Sequence, residues 1–565
     1  MLVLPSVCLA APPLWTTSTD PTFAALEGWS DKVELGDLDG DGDLDVIIPN
    51  GGGYSSAGTP EPSMLLLNDG SAAFTPLVLP ELVGLHRAAK VRDFDGDGVP
   101  DVFLAGAWQT PSVLLLGDGA GGFVDASDRL PTDLLSVGDV EPGDLDDDGD
   151  LDLVLVDSGP GNALFGDGEV TRLWRNDGAG TFLEDSLASM PNVKVKWSWD
   201  LEVLDVDRDF DLDLAISCKT CSAQFLYLND GLGHFTDAST GLPPSSNNYD
   251  FEGLDFDGDG ALDLVTINDG VQLTERILIG DGAGGFSDES ATRMDVAANT
   301  NDDDNVAVLL DFDDDDDVDV LVGSLSGDDR LFVNDGAGVF TTVAGIYSGK
   351  NSPGTLGLAA GDLNGDGRPE LVDVQGEAAF EDYLRLGEGV AADTHPPRIG
   401  LVQAFTEPQV QPIAVHAEVD DRASPIGPDS MAVELVYDSD AGGGSVPMAH
   451  AGHTLFRAAV DGLPAGATGT WHVCATDRAG NQACSDDVPF TVAAEMPPVE
   501  TGDTGATATT PPTDTDGDDT SVAPPPGDDD KGCGCGHTSP SPLGLLVMFG
   551  WVGRRVRVRV LPEAP

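Results

Sequence analysis

An all-β chain is what this sequence predicts, and three recurring observations predict it. A nine-residue acidic pattern, D-x-D-x-D-G-x-x-D with departures, starts at Asp37, Asp93, Asp144, Asp205, Asp255, Asp311 and Asp362. The starts lie 56, 51, 61, 50, 56 and 51 residues apart, a period that belongs to a propeller or an array of stacked units. In phase with it runs an Asn-Asp-Gly or Gly-Asp-Gly turn: LLLNDGSAAF at 65–74, LLLGDGAGGF at 114–123, LWRNDGAGTF at 173–182, LYLNDGLGHF at 226–235, ILIGDGAGGF at 277–286 and LFVNDGAGVF at 331–340. Those residues accept positive φ cheaply and mark tight hairpins. Finally, a β-type run such as LDVII or LDLVLV follows the acidic loop at once. Each repeat therefore reads strand, acidic loop, strand, longer loop, strand, hairpin, strand. Four antiparallel strands, seven times over, make a seven-bladed β-propeller spanning 20–392.

Taken in chain order, residues 1–19 come first. MLVLPSVCLAAP reads as the tail of a signal peptide without its charged start, and cleavage after Ala10 would leave Cys8 and Ala10 at the recognition positions. Next, DPTFAALEGW, Asp20 to Trp29, resembles the F-x-D segments that end the other repeats. The seventh repeat stops at LRLGEG, 384–389, without such a segment. The expectation is that 20–28 supplies the outer strand of the last blade and covers its edge.

The loops themselves call for a cation. Carboxylates crowded into nine residues repel one another unless something divalent sits between them. Oxygen-only donors around a sharp turn suit calcium better than zinc or a redox metal. An EF-hand is excluded: it needs flanking helices and a Glu at loop position 12, where the first loop has Ile48.

The seven loops and their NDGxGxF hairpins resemble the FG-GAP or VCBS repeats of integrin α-subunit propellers and many bacterial surface proteins, over roughly residues 21–392. In that family loop positions one, three, five and nine bind calcium through side chains, and position seven through its carbonyl. The resemblance implies up to seven Ca2+. The ligands would be Asp37, Asp39, Asp41 and Asp45, with the carbonyl of Asp43, in the first loop, and Asp93, Asp95, Asp97 and Asp101 in the second. Asp144, Asp146, Asp148 and Asp152 would serve the third loop, Asp205, Asp207, Asp209 and Asp213 the fourth, and Asp255, Asp257, Asp259 and Asp263 the fifth. Asp311, Asp313, Asp315 and Asp319 would serve the sixth, and Asp362, Asn364, Asp366 and Glu370 the seventh. Three loops depart from the pattern. Phe210 and Asp316 stand where the turn glycine belongs, and Asn364 with Glu370 replaces two aspartates, so weaker binding is expected there.

From DTHPPRIG, 393–400, to residue 494, short alternating runs such as PIAVHAEVDD and TWHVCATDRAGN predict a small β-sandwich similar to immunoglobulin-like or fibronectin-like domains. Cys474 and Cys484 flank a turn symmetrically, which suits a cross-strand disulfide. Two free buried thiols are the alternative. SCKTCS holds Cys218 and Cys221, read as a small structural disulfide because no second CxxC completes a zinc site. Residues 495–532 form a Pro, Thr, Gly and Asp linker expected to be disordered. Residues 533–565 combine Cys533 and Cys535, an apolar run near 542–552 that is short for a spanning helix, and an arginine cluster. They resemble the MYXO-CTERM sorting tails of myxobacterial surface proteins, which implies a secreted protein anchored at the bacterial cell surface. A poor transmembrane anchor that stays in place is the alternative.

Charge bounds the partners. The chain of 565 residues has 100 acidic and 26 basic residues, a net charge of −74. The loops hold 34 of the acids, and the remaining 66 still exceed the basic residues by 40, so calcium cannot account for all of them. That balance disfavours a nucleic-acid partner, and surface solvation is its simplest reading. The expected partner is an extracellular protein or glycan ligand, bound by a monomer. No H-E-x-x-H, G-x-S-x-G, P-loop or dinucleotide fingerprint occurs, and His450 and His453 lack an acidic partner motif. The reading is a calcium-stabilised adhesion or ligand-binding module. The alternative is a secreted carbohydrate-active enzyme, which a cluster of pKa-perturbed acids in a deep central pocket would favour. Tyr54, Trp108, Trp197 and Trp199 fall on connections opposite the acidic loops and are expected either to be exposed for ligand or to pack between blades.

Overall fold

The computed structural model describes residues 13–493, apart from 54–55, 161–166, 222, 269–273, 296, 301, 344, 349–353, 377–379 and 423–430. Tyr54, the linker and the C-terminal tail lie outside the described residues. Strands dominate the described residues, with two single-turn α-helices among them at Ser186–Ser189 and Ser290–Arg293. No helix among the described residues is long and apolar enough to cross a membrane.

Each acidic loop joins the first and second strands of one antiparallel sheet. The second sheet is representative: His86–Arg92, Asp101–Gly106, Val113–Gly117 and Phe123–Asp125 pair in that order. Five other four-stranded sheets repeat this path, with first strands Glu34–Gly36, Val137–Gly143, Leu201–Leu204, Asn248–Leu254 and Asp304–Leu310. The second strands are buried throughout, because both of their faces meet a neighbouring sheet. Their Val, Leu and Ile side chains contribute about 1.5–3 kcal/mol each on burial. First strands pack against one another in chain order, and Thr355–Gly361 of the last sheet returns to Glu34–Gly36. The arrangement is of the β-propeller type.

The last sheet has five strands, and its closure differs from expectation. Beside Tyr383–Leu386 lies Trp15–Thr17, antiparallel, with Thr16 opposite Leu386 and Thr17 opposite Arg385. Trp15 thus takes the place that Phe123 holds in the second sheet, where Val124 faces Leu116. It is wholly buried, and its indole N–H donates to the Pro369 carbonyl at 3.0 Å. Residues 20–28 do not form this strand. They make a 3-10 turn at Phe23–Ala25, which sets Phe23 edge-on to Phe74 at 5.1 Å, and a short pairing of Glu27–Gly28 with Phe380–Glu381. A flat Thr-Thr pair after a large aromatic suits an outer strand. Pro21 and the 3-10 turn after it do not.

Residues 398–492 form two facing sheets. Arg398–Val402, Ile413–Asp420, Leu455–Val460 and Ala449–Gly452 make one. Gly442–Pro447, Met431–Ser439, Thr468–Asp477 and Gln482–Cys484 make the other, with Val488–Thr491 also pairing on Thr468–Asp477. Val415, Leu435, Trp471 and Val473 lie in the common core. Cys474 and Cys484 are opposite residues of paired strands and are bonded, as are Cys218 and Cys221.

This sandwich rests on the acidic-loop ends of the sheets. The Asp144 N–H donates to Ala451 O at 2.7 Å, and the Asp311 N–H donates to Arg422 O at 2.6 Å. Ala451 and Leu455 join the cluster of Leu145 and Leu212 beneath them. His416 stacks on Phe210 with ring centroids 6.1 Å apart.

Candidate metal centres and the central channel

The acidic loops share one hydrogen-bond scheme. In the first, Asp37 Oδ1 accepts from Gly40 N–H at 2.7 Å and Oδ2 from Gly42 N–H at 3.0 Å, which winds the backbone around the carboxylate. Asp93, Asp205, Asp255, Asp311 and Asp362 do the same to positions four and six of their loops. Asp144 accepts from Asp148 and Gly149. The fifth-position carboxylate accepts from the seventh N–H in six loops, through Asp41, Asp97, Asp148, Asp209, Asp259 and Asp366.

The ninth position clamps the loop to the rest of its sheet. Asp45 accepts from Leu38 N–H and from Asn68 N–H, each at 2.7 Å. Asp101, Asp213, Asp263, Asp319 and Glu370 make the same pair of bonds, and Asp152 accepts from Asn176 N–H. The asparagine of the NDG turn reaches further still. Asn68 Nδ2 donates to Leu363 O of the last loop at 2.8 Å, Asn176 to Phe94 O, Asn229 to Leu145 O and Asn334 to Phe256 O. Each such turn is thereby tied to the acidic loop of the preceding sheet.

At the third position the scheme stops. One carboxylate oxygen of Asp39, Asp95, Asp146, Asp207 and Asp257 is buried with no hydrogen-bond partner among the described residues. These oxygens sit beside others. Carboxylate atoms of Asp37, Asp39 and Asp41 lie within 4.8 Å of one another, as do those of Asp93, Asp95 and Asp101, and of Asp144, Asp146 and Asp148. Burial, with lesser repulsion from loop neighbours, pushes the ninth-position carboxyls up. Asp101 rises to about 6, Asp45, Asp263 and Glu370 to about 7, Asp152 to about 8, and Asp213 and Asp319 to about 9. Uncompensated burial of that kind is what a bound cation relieves.

The FG-GAP-like repeat model matches residues 93–155 and 311–372. Each match begins on one acidic loop and runs through the next loop into the strand after it. The chain carries FG-GAP-like repeats. No curated protein matches it. Similar solved structures include an Agrocybe aegerita lectin described for specific recognition of non-reducing terminal N-acetylglucosamine. It is 16% identical, covering 57% of this chain and 82% of that one, with a TM-score of 0.38. BBS1N in complex with ARL6DN, soaked with lead, is 10% identical, covering 68% of this chain and 99% of that one, with a TM-score of 0.42. Similarity at this level carries no argument about a ligand.

A feature outside the loops went unread in the sequence. Three residues before the first aspartate, FG-GAP-like repeats one to five have Glu34, Lys90, Glu141, Glu202 and Glu252, whereas the sixth and seventh have Val308 and Ala359. On the first strands these side chains line a central cavity of about 250 Å3, roofed by His450, His453 and Arg478 of the sandwich. Burial pushes Glu141 up to about 7 and holds Glu202, Asp250 and Glu252 well above the carboxylate range. Burial also depresses the two histidines, to about 3 for His450 and about 4 for His453, so both are neutral at pH 7. His450 Nε2 is 2.6 Å from the His453 carbonyl and donates to it.

Of the two positions left open for the tryptophans, exposed or packed, the structure places Trp197 and Trp199 in the packed one. Trp197 and Trp199 are 0% and 1% exposed and pack with Tyr249 and Leu356 where the first strands begin. Trp108 is half-buried, donates to Gly51 O at 3.1 Å and shares the Arg87 guanidinium with Trp199. Packing, not ligand capture, explains their position. The WSW spacing places both indoles on one side of the chain, and the nearest large neighbour there is Tyr249 of the adjoining sheet.

Proposed function

We propose that this protein is a calcium-stabilised ligand-binding or adhesion module displayed outside the cell, a seven-bladed propeller carrying an Ig-like sandwich. One observation carries the calcium reading: the same third-position oxygen is buried and unpartnered in five loops, beside carboxylates already oriented by backbone N–H groups. Hard oxygen donors wrapped around a turn suit Ca2+, and leaving such groups unpaired costs more than filling the site. The residues that would hold it are those at positions one, three, five and nine, up to seven ions in all. Calcium's role in this reading is structural: it neutralises each loop and fixes the first strand against the second. At a tenfold excess over Kd each site adds about 1.4 kcal/mol, so seven add on the order of 10 kcal/mol.

The binding or adhesion role is supported by the FG-GAP-like repeats and the propeller-type fold. The partner is an extracellular protein or a glycan, and the tail at 533–565 anchors the monomer at the bacterial surface. An enzyme would draw on the channel acids. A cavity of about 250 Å3 falls below the ~300–1,000 Å3 typical of ligand pockets and holds no polysaccharide segment. The sandwich also roofs it, and the module reading is therefore preferred.

A thermal melt of the full chain in millimolar calcium and in chelator tests the proposal. A rise in Tm of ten degrees or more with calcium is expected. Coincident melts would reduce the loops to acidic turns.

A further inference from the structure

The charges facing the central channel do not balance. Lys32 lies 2.7 Å from Asp139 and 3.1 Å from Asp200, Lys90 lies 2.5 Å from Glu141, and Arg92 lies 2.9 Å from Glu34. The carboxylates of Glu202, Asp250 and Glu252, on the two neighbouring first strands, have no cation within ion-pair distance among the described residues. Asp250 accepts from Ala307 N–H, while Glu202 and Glu252 have no hydrogen-bond partner there either.

The next first strand supplies a second, independent sign of a missing occupant. Asn305 lines the same cavity and is 1% exposed, yet neither its Oδ1 nor its Nδ2 has a partner among the described residues. Each buried, unmade hydrogen bond costs about 1–3 kcal/mol, so a native interior rarely leaves a whole amide idle. The wall beyond is apolar, formed by Val308, Leu309 and Leu358. Water could satisfy Asn305 but brings no positive charge to hold three neighbouring acids in their ionised form. A bare metal ion would neutralise them but leave the apolar wall facing empty space.

We propose that the channel binds a small organic cation, a protonated aliphatic amine. Its ammonium sits among Glu202, Asp250 and Glu252, its methylenes lie against Val308, Leu309 and Leu358, and Asn305 meets its remaining polar group. The site is separate from the acidic loops: Glu202 and Glu252 lie three residues before the first loop aspartates and face the channel.

The test uses the full chain in saturating calcium, with 1,4-diaminobutane as the probe and sodium and magnesium chloride at matched ionic strength as controls. Calorimetry and thermal melts should show diaminobutane binding and raising Tm, and neither salt doing so. Glu202→Gln and Glu252→Gln should each raise Tm without the amine, because each removes one of three crowded carboxyls whose ionised forms repel one another. Each should also weaken diaminobutane at least tenfold, the loss of one charged hydrogen bond of about 1.5 kcal/mol or more. Val308→Phe fills the apolar side and should abolish binding without touching a charge, which provides the decisive variant if the glutamine forms do not fold. No amine-dependent shift in the wild type overturns the proposal. So does a shift that magnesium reproduces, or one that survives all three substitutions.

Discussion

Two sets of acidic loops in this molecule obey the same scheme with different residues. In the loops starting at Asp37, Asp93, Asp255 and Asp362, turn positions four and six are both glycine. In those starting at Asp144, Asp205 and Asp311 they include Asp147, Arg208, Phe210, Asp314 and Asp316. All five of these residues have φ between +59° and +71°, close to the +73° to +76° of the fourth-position glycines. A side chain in that region costs roughly 1–2 kcal/mol. The strain coincides with the sandwich. Asp147 accepts from Arg457 at 2.5 Å and faces His416, Phe210 stacks on His416, Asp314 accepts from Thr394 N–H at 2.9 Å, and Asp316 pairs with Arg422 at 3.4 Å. What read in the sequence as erosion of a calcium loop is, in the fold, a set of handles for the second domain. The handles sit mainly at turn positions, although Arg457 also lies 3.6 Å from the Asp144 carboxylate at position one. The division is not absolute, since Arg398 pairs with Asp255 of a glycine loop.

If both sets keep the same clamp, breaking it should hurt them equally. Asp45→Ala in a glycine loop and Asp213→Ala in a handled one each orphan two buried N–H donors, at about 1–3 kcal/mol apiece. Chemical denaturation in excess calcium should show losses of roughly 2–6 kcal/mol for both. A much smaller loss for Asp213→Ala would mean the fourth loop is no longer the same device.

The channel wall belongs to neither set and gives the next largest effect. Burial raises Glu141 from 4.5 to about 7 and Asp139 from 3.8 to about 6. A carboxyl raised on folding is kept protonated, so the stability it allows is fully present below its unfolded pKa and is lost as pH rises through the folded value. In chelator, Tm should therefore fall between about pH 4 and about pH 7, and Glu141→Gln should flatten part of that fall. A profile that rises across this window would contradict the burial of these acids.

Smaller again is Arg457→Ala. It removes a half-screened contact with Asp147, both its side chain and, at 2.7 Å, its carbonyl. A loss of about 1–2 kcal/mol is expected, seen as faster hydrogen exchange in the sandwich strands facing the loops. Arg129→Ala, beside the glycine loop at Asp93, should leave that exchange unchanged. Equal effects would dissolve the distinction between the sets.

How far the sequence reveals all this depends on the range of the interaction. The loops and hairpins are local patterns, a handful of residues each, and they repeat, so spacing alone places them, whereas the two disulfides are local but single, and for Cys474 and Cys484 spacing left free thiols open. The closing strand is local too, but its signal is one aromatic substitution away: WTTSTD at 15–20 matches FVDASD at 123–128, whereas Phe23 offers a better letter in a worse context. The channel acids were visible as a glutamate or lysine three residues before the loop in five repeats. Docking of the sandwich was not visible. It joins His416 to Phe210 and Arg457 to Asp147 across hundreds of residues, and nothing in either segment names the other.

The finest test of the comparison is a double-mutant cycle on Phe210 and His416. Phe210→Gly relieves a left-handed side chain, worth about 1 kcal/mol, and forfeits a stacked pair worth about 0.5–1.5 kcal/mol, so alone it should be nearly neutral. With His416→Ala already in place only the relief remains, and the same change should stabilise by roughly 1 kcal/mol. Gly98→Ala is the matched control: its φ is +85°, the added methyl meets nothing within 4 Å, and it should simply cost about 1 kcal/mol. A cycle that closes with no coupling would show that the strain at Phe210 is held by its own loop and has nothing to do with the sandwich.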